Sequence, residues 1–197
     1  MSRMRGVQER PAGLVVHQDV LSVGEEARLV GRFASLDLQP VVMRGVASRR
    51  RACHFGAGYD FDARTATAAM PIPTYLLNLR TRCADLAGEH PESFVEGLVT
   101  EYRAGSGIGW HKDALVFGHV VLGVSLGSDA VMRFQRRAVG GERRVHEEPL
   151  PQRSAYVLTG AARWVWQHSI PPVTELRYSV TFRQLQSGRE LGGRSPG

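Results

Sequence analysis

The 197-residue sequence contains only two cysteines, Cys53 and Cys83, and one lysine, Lys112. Two thiols are too few for a disulfide framework, so we expect a protein of a reducing compartment. No apolar run approaches the roughly 20 residues of a membrane span, and the first residues lack the apolar stretch of a signal peptide. These absences predict a cytoplasmic protein without a membrane partner.

The scarcity of lysine means that arginine supplies almost all of the positive charge, with a net charge of +6 and a pI near 10.0. A guanidinium group binds phosphate oxygens in pairs and stacks on bases, so the composition is compatible with a nucleic-acid substrate. A genome rich in GC favours arginine codons whatever the function, so the charge alone does not decide the substrate class.

The length predicts one domain, over residues 14–186, with flexible ends at 1–13 and 187–197. Helical spacing of apolar residues predicts helices at about 24–36 and 74–87. From Phe94 onward, short β-branched and aromatic runs alternate with glycine and proline, which is typical of a sandwich or barrel. We therefore expect an α+β, mainly β protein, monomeric, with a jelly-roll core at about 94–185 and N-terminal helices covering one sheet. The predicted strands are 94–103, 119–126, 130–135, 143–148, 154–159 and 176–185.

Three side chains suggest a metal site. His111 and Asp113 are two residues apart, so in extended chain both point to the same side. His168 follows several strands later, where a closed β-sandwich can return it to the first pair. Two histidines and one carboxylate form a facial triad, which leaves three coordination positions open for O₂ and a chelating cosubstrate.

A strand pattern after His168 adds two arginines that face inward. Alternation places Arg177 and Arg183 on one face of 176–183, and a buried guanidinium without an anion would be costly. A dicarboxylate cosubstrate would supply such an anion. Tyr102, from the preceding strand, can add a phenol donor.

The stretch from Tyr102 to Gln184 resembles the AlkB family of nucleic-acid dioxygenases. The motifs that carry the resemblance are Tyr102, Gly-Trp-His111-Lys-Asp113, Val-Ser-Leu-Gly127, Trp-Gln-His168 and Arg177-Tyr-Ser-Val-Thr-Phe-Arg183. The resemblance implies a double-stranded β-helix with iron(II), 2-oxoglutarate and O₂ chemistry. It also implies that Tyr102 and Arg177 bind the distal carboxylate of 2-oxoglutarate, and that Arg183 lies near the carboxylate that chelates iron.

The sequence departs from the family pattern at two positions. Thr100 and Ser179 stand where the family often has asparagine, and both can still form hydrogen bonds to the cosubstrate. Among the tryptophans near the ligands, Trp166 is expected to support the metal site from behind. Trp110 is expected to face away from His111.

The segment from Arg49 to Phe61 resembles the nucleotide-recognition lid of the same family, and we take the lid as about 45–65. Arginines would hold phosphates while aromatic rings stack on a flipped base. A surface hairpin with charged edges would show the same pattern. The candidate substrate residues are Arg49, Arg50, Arg51, Phe55, Tyr59 and Phe61.

The resemblance implies oxidative removal of a methyl or other alkyl group from a base of DNA or RNA, either single-stranded or with the base flipped. Succinate, CO₂ and an aldehyde would be released. Three alternatives remain open: an oxygenase of a protein side chain or small molecule, a catalytically silent nucleic-acid binder, and a zinc hydrolase on a cupin-like barrel. The other histidines lack a partner at ligand spacing and are not expected to bind metal: His17, His54, His90, His119 and His146.

Overall fold

The computed structural model describes residues 5–43, 46–60 and 65–188, which form two sheets and three α-helices. The helices are α1 (Val23–Ala34), α2 (Thr74–Ala87) and α3 (Gly160–Trp164), with a 3₁₀ turn at Pro91–Ser93. The strands are β1 (Val7–Gln8), β2 (Leu14–His17), β3 (Gln39–Met43), β4 (Val46–Asp60), β5 (Thr65–Ala68), β6 (Phe94–Tyr102), β7 (Ile108–His111), β8 (Phe117–Leu126), β9 (Ala130–Arg137), β10 (Arg143–Leu150), β11 (Ala155–Leu158), β12 (Gln167–Ile170) and β13 (Arg177–Leu185).

The smaller sheet has five strands in the order β1-β10-β9-β12-β7, and the larger runs β2-β11-β8-β13-β6-β4-β3, with β5 paired to β4. Neighbours in both sheets are antiparallel except for the short β1–β10 pair, which is parallel. This mainly β, jelly-roll arrangement confirms the predicted fold class. No helix among the described residues has the length and apolar character needed to cross a bilayer.

The two longer helices cover the outer face of the larger sheet, as predicted. Helix α1 begins at a capping box, in which Glu25 N–H donates to Ser22 Oγ and Ser22 N–H donates to Glu25. Helix α2 ends at Gly88, whose left-handed conformation (φ 68°) stops the helix. Phe33 and Leu76 from these helices pack with sheet residues such as Phe182 in one core cluster. Burial of this apolar surface fixes the helices on the sheet.

A second core lies on the inner side, where the two sheets face each other. It joins Phe134, Trp166 and Ile170 of the smaller-sheet side to Tyr102 and Val121 of the larger sheet. This core forms part of the support for the cavity described below.

Several short elements escaped prediction from the sequence. Strands β2, β3, β5 and β12 have at most five residues each, too few to show a clear period. At the N-terminus, Val7 and Gln8 pair with β10, so the described part of the segment expected to be flexible is attached to the smaller sheet. Residues 189–197 of the predicted tail lie outside the described residues.

Candidate active site

A cavity of about 260 Å³ opens between the two sheets. Both sheets contribute to its wall, and so does the segment after β7. It contains all three predicted metal ligands and all five predicted cosubstrate residues. These are His111, Asp113 and His168, with Thr100, Tyr102, Arg177, Ser179 and Arg183.

The structure brings the predicted ligands together through strand pairing. His111 ends β7 and is the direct antiparallel partner of His168 on β12, so their rings lie 4.2 Å apart between centroids. Asp113 follows in the connection to β8, with its Oδ2 atom 3.6 Å from His168 Nε2. One carboxylate and two imidazoles thus meet at one end of the cavity.

The tautomer of His111 follows from its hydrogen bond. Its Nδ1 atom lies 2.8 Å from the carbonyl oxygen of Gly109, which can only accept, so Nδ1 carries the proton. The lone pair of a neutral ring is then on Nε2, the atom free to bind a metal. A hydrogen bond of this kind is the usual way in which proteins orient a metal-binding histidine.

The electrostatics of the cluster favour the charge states that a metal requires. Burial alone would raise the pKa of the Asp113 carboxyl, but the charges of Arg183, His168 and His111 outweigh it and hold that pKa well below its usual range. Burial, reinforced by His111, lowers the pKa of His168 to about 3, and burial also lowers the pKa of His111. At neutral pH the set is therefore one anion and two neutral imidazoles.

Within the described ranges, no three His, Cys, Asp or Glu side chains already stand at metal-coordinating distances. In this structure Asp113 Oδ1 accepts from Arg183 Nη2 at 2.8 Å, and the buried Nδ1 atom of His168 has no hydrogen-bond partner among the described residues. The donor chemistry nevertheless fits iron(II), because two imidazoles and one carboxylate approach from one side of a shared cavity.

Arg177 supplies a cation suited to an anionic ligand. Its side chain is 1% exposed, its Nε donates to Ser125 Oγ at 3.0 Å, and its Nη1 is buried without a partner among the described residues. Its guanidinium carbon lies 5.0 Å from the centre of the Tyr102 ring, the cross-strand partner of Arg177. Ser179 and Thr100 form the next but one pair along the same ladder. These four residues surround a position where a carboxylate would offset the buried charge.

Arg183 has anionic partners within the protein that the sequence did not reveal. Arg183 Nη1 donates to Glu96 Oε2 at 2.8 Å and its Nη2 donates to Asp113, so the inference that this arginine needs an anionic cosubstrate was wrong. Only its Nε is buried without a partner in the described part of the chain. The implied contact between Arg183 and the chelating carboxylate remains a prediction.

The lid residues divide between the two faces of β4. Arg50 and Tyr59 contribute to the cavity wall, whereas Arg49 is exposed and lies outside it. The prediction that Arg51 and Phe55 contact substrate was wrong, because strand alternation turns them to the other face. Arg51 forms two hydrogen bonds with Glu101, at 2.9 and 3.0 Å, and Phe55 is buried in the core beneath the helices.

Gly56 interrupts this alternation with a φ of 70°, which is why the odd-numbered Tyr59 returns to the cavity side. Tyr59 packs against Phe117 at 5.9 Å between ring centres. Phe61, the last predicted substrate residue, lies outside the described residues.

The tryptophans near the ligands have different surroundings. Trp166 is 1% exposed and packs in the inner core with Phe134, whose ring lies 6.0 Å from that of His168. Its supporting role remains a prediction, and this packing is the contact through which Trp166 would act. Trp110, which was expected to face away from His111, is 37% exposed and borders the cavity.

Sequence reasoning missed the role of Arg163 in shaping the site. Arg163 is 2% exposed and donates to four backbone carbonyls between Asp113 and Gly118, at 2.9 to 3.2 Å. The fixed fork of its donors thereby holds the segment that carries Asp113. In the sequence, Arg163 lies five residues before His168, and this proximity was the available sign that it could lie near the site.

Tyr156 is a second residue that the sequence did not single out. It contributes to the cavity wall, and burial raises the pKa of its phenol to about 12. Its ring occupies the space above Gly123, where an added Cβ would lie 2.1 Å from Tyr156 Cζ. Gly123 thus makes room for a neutral phenol inside the cavity.

Comparison with protein families gives an independent result. The family model described as the 2OG-Fe(II) oxygenase superfamily matches residues 35–189, well over half of the chain. Among solved structures, "The structure of OsALKBH1" matches with a TM-score of 0.69 and 17% identity, over 89% of this chain and 98% of that one. At this identity the structural match supports the fold.

Two curated relatives carry AlkB-type names. The Mus musculus "tRNA (carboxymethyluridine(34)-5-O)-methyltransferase ALKBH8" is 27% identical over 175 residues, which is 85% of this chain and 25% of that protein. The Arabidopsis thaliana "Alkylated DNA repair protein ALKBH8 homolog" is 26% identical over 81% of this chain and 51% of its own length. The chain therefore spans about a quarter and about half of these relatives.

Proposed function

Because the chain belongs to the 2OG-Fe(II) oxygenase superfamily and is an AlkB-like dioxygenase within it, we propose that it removes alkyl groups oxidatively from N-alkylated bases of DNA or RNA. The observation that carries the proposal is the arrangement of the cavity. The proposed metal ligands lie together in its wall, Arg177 has a buried donor without a partner among the described residues, and Arg50 and Tyr59 come from the segment that resembles a nucleotide lid.

In the proposed reaction, His111, Asp113 and His168 would hold iron(II), with Gly109 orienting the His111 ring. Iron(II), 2-oxoglutarate and O₂ together supply an oxidant strong enough to hydroxylate an alkyl carbon attached to nitrogen. One oxygen atom enters succinate as CO₂ leaves, and the other forms the hydroxyl group. The C–N bond then breaks, the nitrogen regains a proton, and the carbon leaves as an aldehyde, which is formaldehyde for a methyl group.

The protein's own contribution is binding and orientation. Arg177 and Tyr102 would hold the distal carboxylate of the cosubstrate, with Ser179 and Thr100 as further hydrogen-bonding groups. Arg177 is anchored by Ser125, so its fork keeps one direction. Fixing the cosubstrate in this way directs the reactive end toward the cavity end where the ligands meet.

On the substrate side, Arg50 would contact phosphate, and Tyr59 would stack on the base. The names of the two relatives refer to tRNA modification and to DNA repair, so related proteins act on both kinds of nucleic acid. Because this chain spans only a quarter of the mouse relative, the methyl transfer in that protein's name is not part of the proposal. We also propose a cytoplasmic location and a monomeric state, from the sequence alone.

The direct test uses anaerobically purified protein supplied with iron(II), 2-oxoglutarate and then O₂. A panel of single-stranded DNA and RNA oligonucleotides, each with one N-methylated base, should yield succinate and formaldehyde in equal amounts for at least one member. His111→Ala should yield neither. Wild-type protein that forms no succinate with any oligonucleotide would contradict the proposal.

A matched pair of variants tests the substrate class. Arg50→Gln should weaken turnover of the preferred oligonucleotide about tenfold and reduce its salt dependence, because one phosphate contact is lost. Arg51→Gln, one residue away but paired with Glu101 on the other face, should leave the turnover nearly unchanged. If both variants turn over the oligonucleotide at the wild-type rate, and salt does not affect that rate, a protein or small-molecule substrate is favoured instead.

A further inference from the structure

Glu96 is a buried carboxylate beneath the cavity that the proposed reaction does not use. Its side chain is 0% exposed, and it lies on β6, the strand between β13 and the lid strand β4. The direct cross-strand neighbours of Glu96 are Arg183 on β13 and Gly56 on β4. From this central position its two oxygens can reach both adjacent strands.

The two oxygens of Glu96 have different partners. Oε1 lies 3.0 Å from His54 Nδ1 on β4, and Oε2 accepts from Arg183 Nη1 at 2.8 Å. Arg183 continues the connection, since its Nη2 donates to Asp113 Oδ1 at 2.8 Å. His54 and Arg183 both contribute to the cavity wall. A continuous path of three contacts therefore runs from the lid strand to a proposed metal ligand.

The stability of the fold gives only a weak reason to bury the ion pairs of Arg183 with Glu96 and Asp113. Removing a carboxylate and a guanidinium from water costs several kcal/mol each, and well-packed apolar residues of similar volume are often as stable as a buried ion pair. Orientation gives a stronger reason. Residues hydrogen-bonded to metal ligands, as Arg183 is to Asp113, fix the geometry of those ligands and tune metal affinity, and Glu96 in turn fixes Arg183. Glu96 also balances the positive charge of Arg183, which would otherwise repel a divalent cation beside Asp113.

We propose that Glu96 is a positioning residue that holds Arg183, and through it Asp113, in the orientation required for metal and cosubstrate binding. The other oxygen of Glu96, Oε1, contacts His54 and so links Glu96 and Arg183 to the lid strand β4. The proposal rests on the metal site of the proposed function. Without Glu96, the only remaining carboxylate partner of Arg183 in this path is Asp113, which would be drawn further from the metal.

The test measures binding of Mn(II), and then of 2-oxoglutarate to the Mn(II) form, by calorimetry in the absence of O₂. Glu96→Gln keeps the shape of the side chain and removes its charge, and should weaken Mn(II) binding about 10- to 100-fold. Glu101→Gln is the matched control, because Glu101 is a buried carboxylate on the same strand that pairs with Arg51 and Arg103 on the opposite face. It should bind Mn(II) as the wild type does.

The outcomes separate the two proposals. If wild-type protein binds no Mn(II), the proposed metal site and the role of Glu96 both fail. If wild-type protein binds Mn(II) and Glu96→Gln binds it equally well, only the positioning role fails. Should Glu96→Gln not fold, Glu96→Asp keeps the charge but is too short to reach both neighbours, and wild-type affinity in that variant would overturn the proposal.

Hydrogen exchange tests the link to the lid strand. In wild-type protein, Mn(II) with 2-oxoglutarate should slow amide exchange in β7 and also around residue 54 in β4. His54→Ala should keep the slowing in β7 and lose it in β4, because the contact with Glu96 is gone. Unchanged ligand-induced slowing of β4 in His54→Ala would rule out this link.

Discussion

At the scale of single residues, Arg163 illustrates how one side chain can hold a functional segment. Its guanidinium lies 4.0 Å from the centre of the Trp164 ring while its donors bind carbonyls of the segment that follows β7. A flexible lysine could not satisfy so many acceptors at once, because its three donors leave from a single nitrogen. The carbonyls would then lose their partners inside the protein.

Arg163→Met should therefore destabilise the fold by at least about 3 kcal/mol, since hydrogen bonds from a charged donor contribute roughly 1.5–3 kcal/mol each. Urea unfolding followed by circular dichroism measures the effect. Arg103→Met is the control, because Arg103 is largely exposed and its ion pair with Glu101 should change stability by less than about 1 kcal/mol. Similar losses in both variants would contradict the role given to Arg163.

Arg177 permits a prediction about cosubstrate binding. Arg177→Gln keeps a hydrogen-bond donor but removes the charge, so the Kd of 2-oxoglutarate in the Mn(II) form should rise about 10- to 100-fold, because charge-assisted bonds to a carboxylate are lost. Mn(II) binding itself should change little. Fluorescence or calorimetric titration distinguishes the two effects, and an unaltered Kd for 2-oxoglutarate would show that the dicarboxylate binds elsewhere.

Single residues also differ in how far their positions could be predicted from the sequence. His111, Asp113, His168 and Arg177 could be predicted to face one cavity because their spacing and strand alternation have a direct geometric meaning. The proposed role of Glu96 could not be predicted, because it depends on strand neighbours far away in the chain, and no local pattern reveals which strands pair. Arg51 and Phe55 were predicted wrongly because the resemblance covers the whole lid segment. Strand alternation along β4 turns these two side chains away from the cavity.

At the scale of elements, the two longer helices were the easiest to predict, whereas the five-residue α3 was missed. Helix α2 spans Thr74–Ala87, the predicted range, because the prolines before it and Gly88 after it mark its ends. The predicted strands from residue 94 onward also matched β6, β8, β9, β10, β11 and β13 within a few residues. Strand β4, the longest at 15 residues, was not predicted as a strand, because its segment was interpreted as a lid. The shortest strands were missed, and β12 is the most consequential of them because it carries His168.

A buried thiol on α2 leads to a prediction about pH. Burial raises the pKa of Cys83 to about 12, whereas the unfolded thiol loses its proton near pH 9. Between these values the folded state binds more protons than the unfolded state, so this residue's contribution to stability falls as pH rises. Relative to that of Cys83→Ala, the free energy of unfolding of the wild type should fall by about 1.4 kcal/mol for each pH unit above pH 9.

Urea unfolding of both proteins at pH 7.5 and at about pH 10.5 measures this shift. The comparison removes the contribution of other groups, such as the phenol of Tyr156, because they are present in both proteins. A stability difference that stays constant over this pH range would mean that Cys83 is ionised as easily in the folded state as in the unfolded one.

At the scale of the whole molecule, much of the abundant arginine is used within the fold. Arginines form ion pairs that tie distant segments together, for example Arg136 to Glu9 and Arg153 to Glu26. The composition therefore overstates how many arginines are available to bind phosphate. The net charge is read directly from the sequence, but only the folded arrangement shows which arginines lie near the cavity.

The two-sheet architecture also explains the order of the functional residues in the chain. Tyr102 and Arg177 are neighbours across β6 and β13, whereas His111 and His168 are neighbours across β7 and β12. One sheet thus supplies the proposed cosubstrate residues, and the other supplies two of the proposed metal ligands. The cavity between them is where an ion and a dicarboxylate would meet, which is the central claim of this account.

The most direct test of that claim is a crystal structure of the protein with Mn(II) and 2-oxoglutarate, with the metal located by its anomalous scattering. We predict one Mn(II) ion coordinated by His111 Nε2, Asp113 and His168, and the distal carboxylate of 2-oxoglutarate on Arg177. A metal held by other side chains, or a cosubstrate bound away from Arg177, would contradict it.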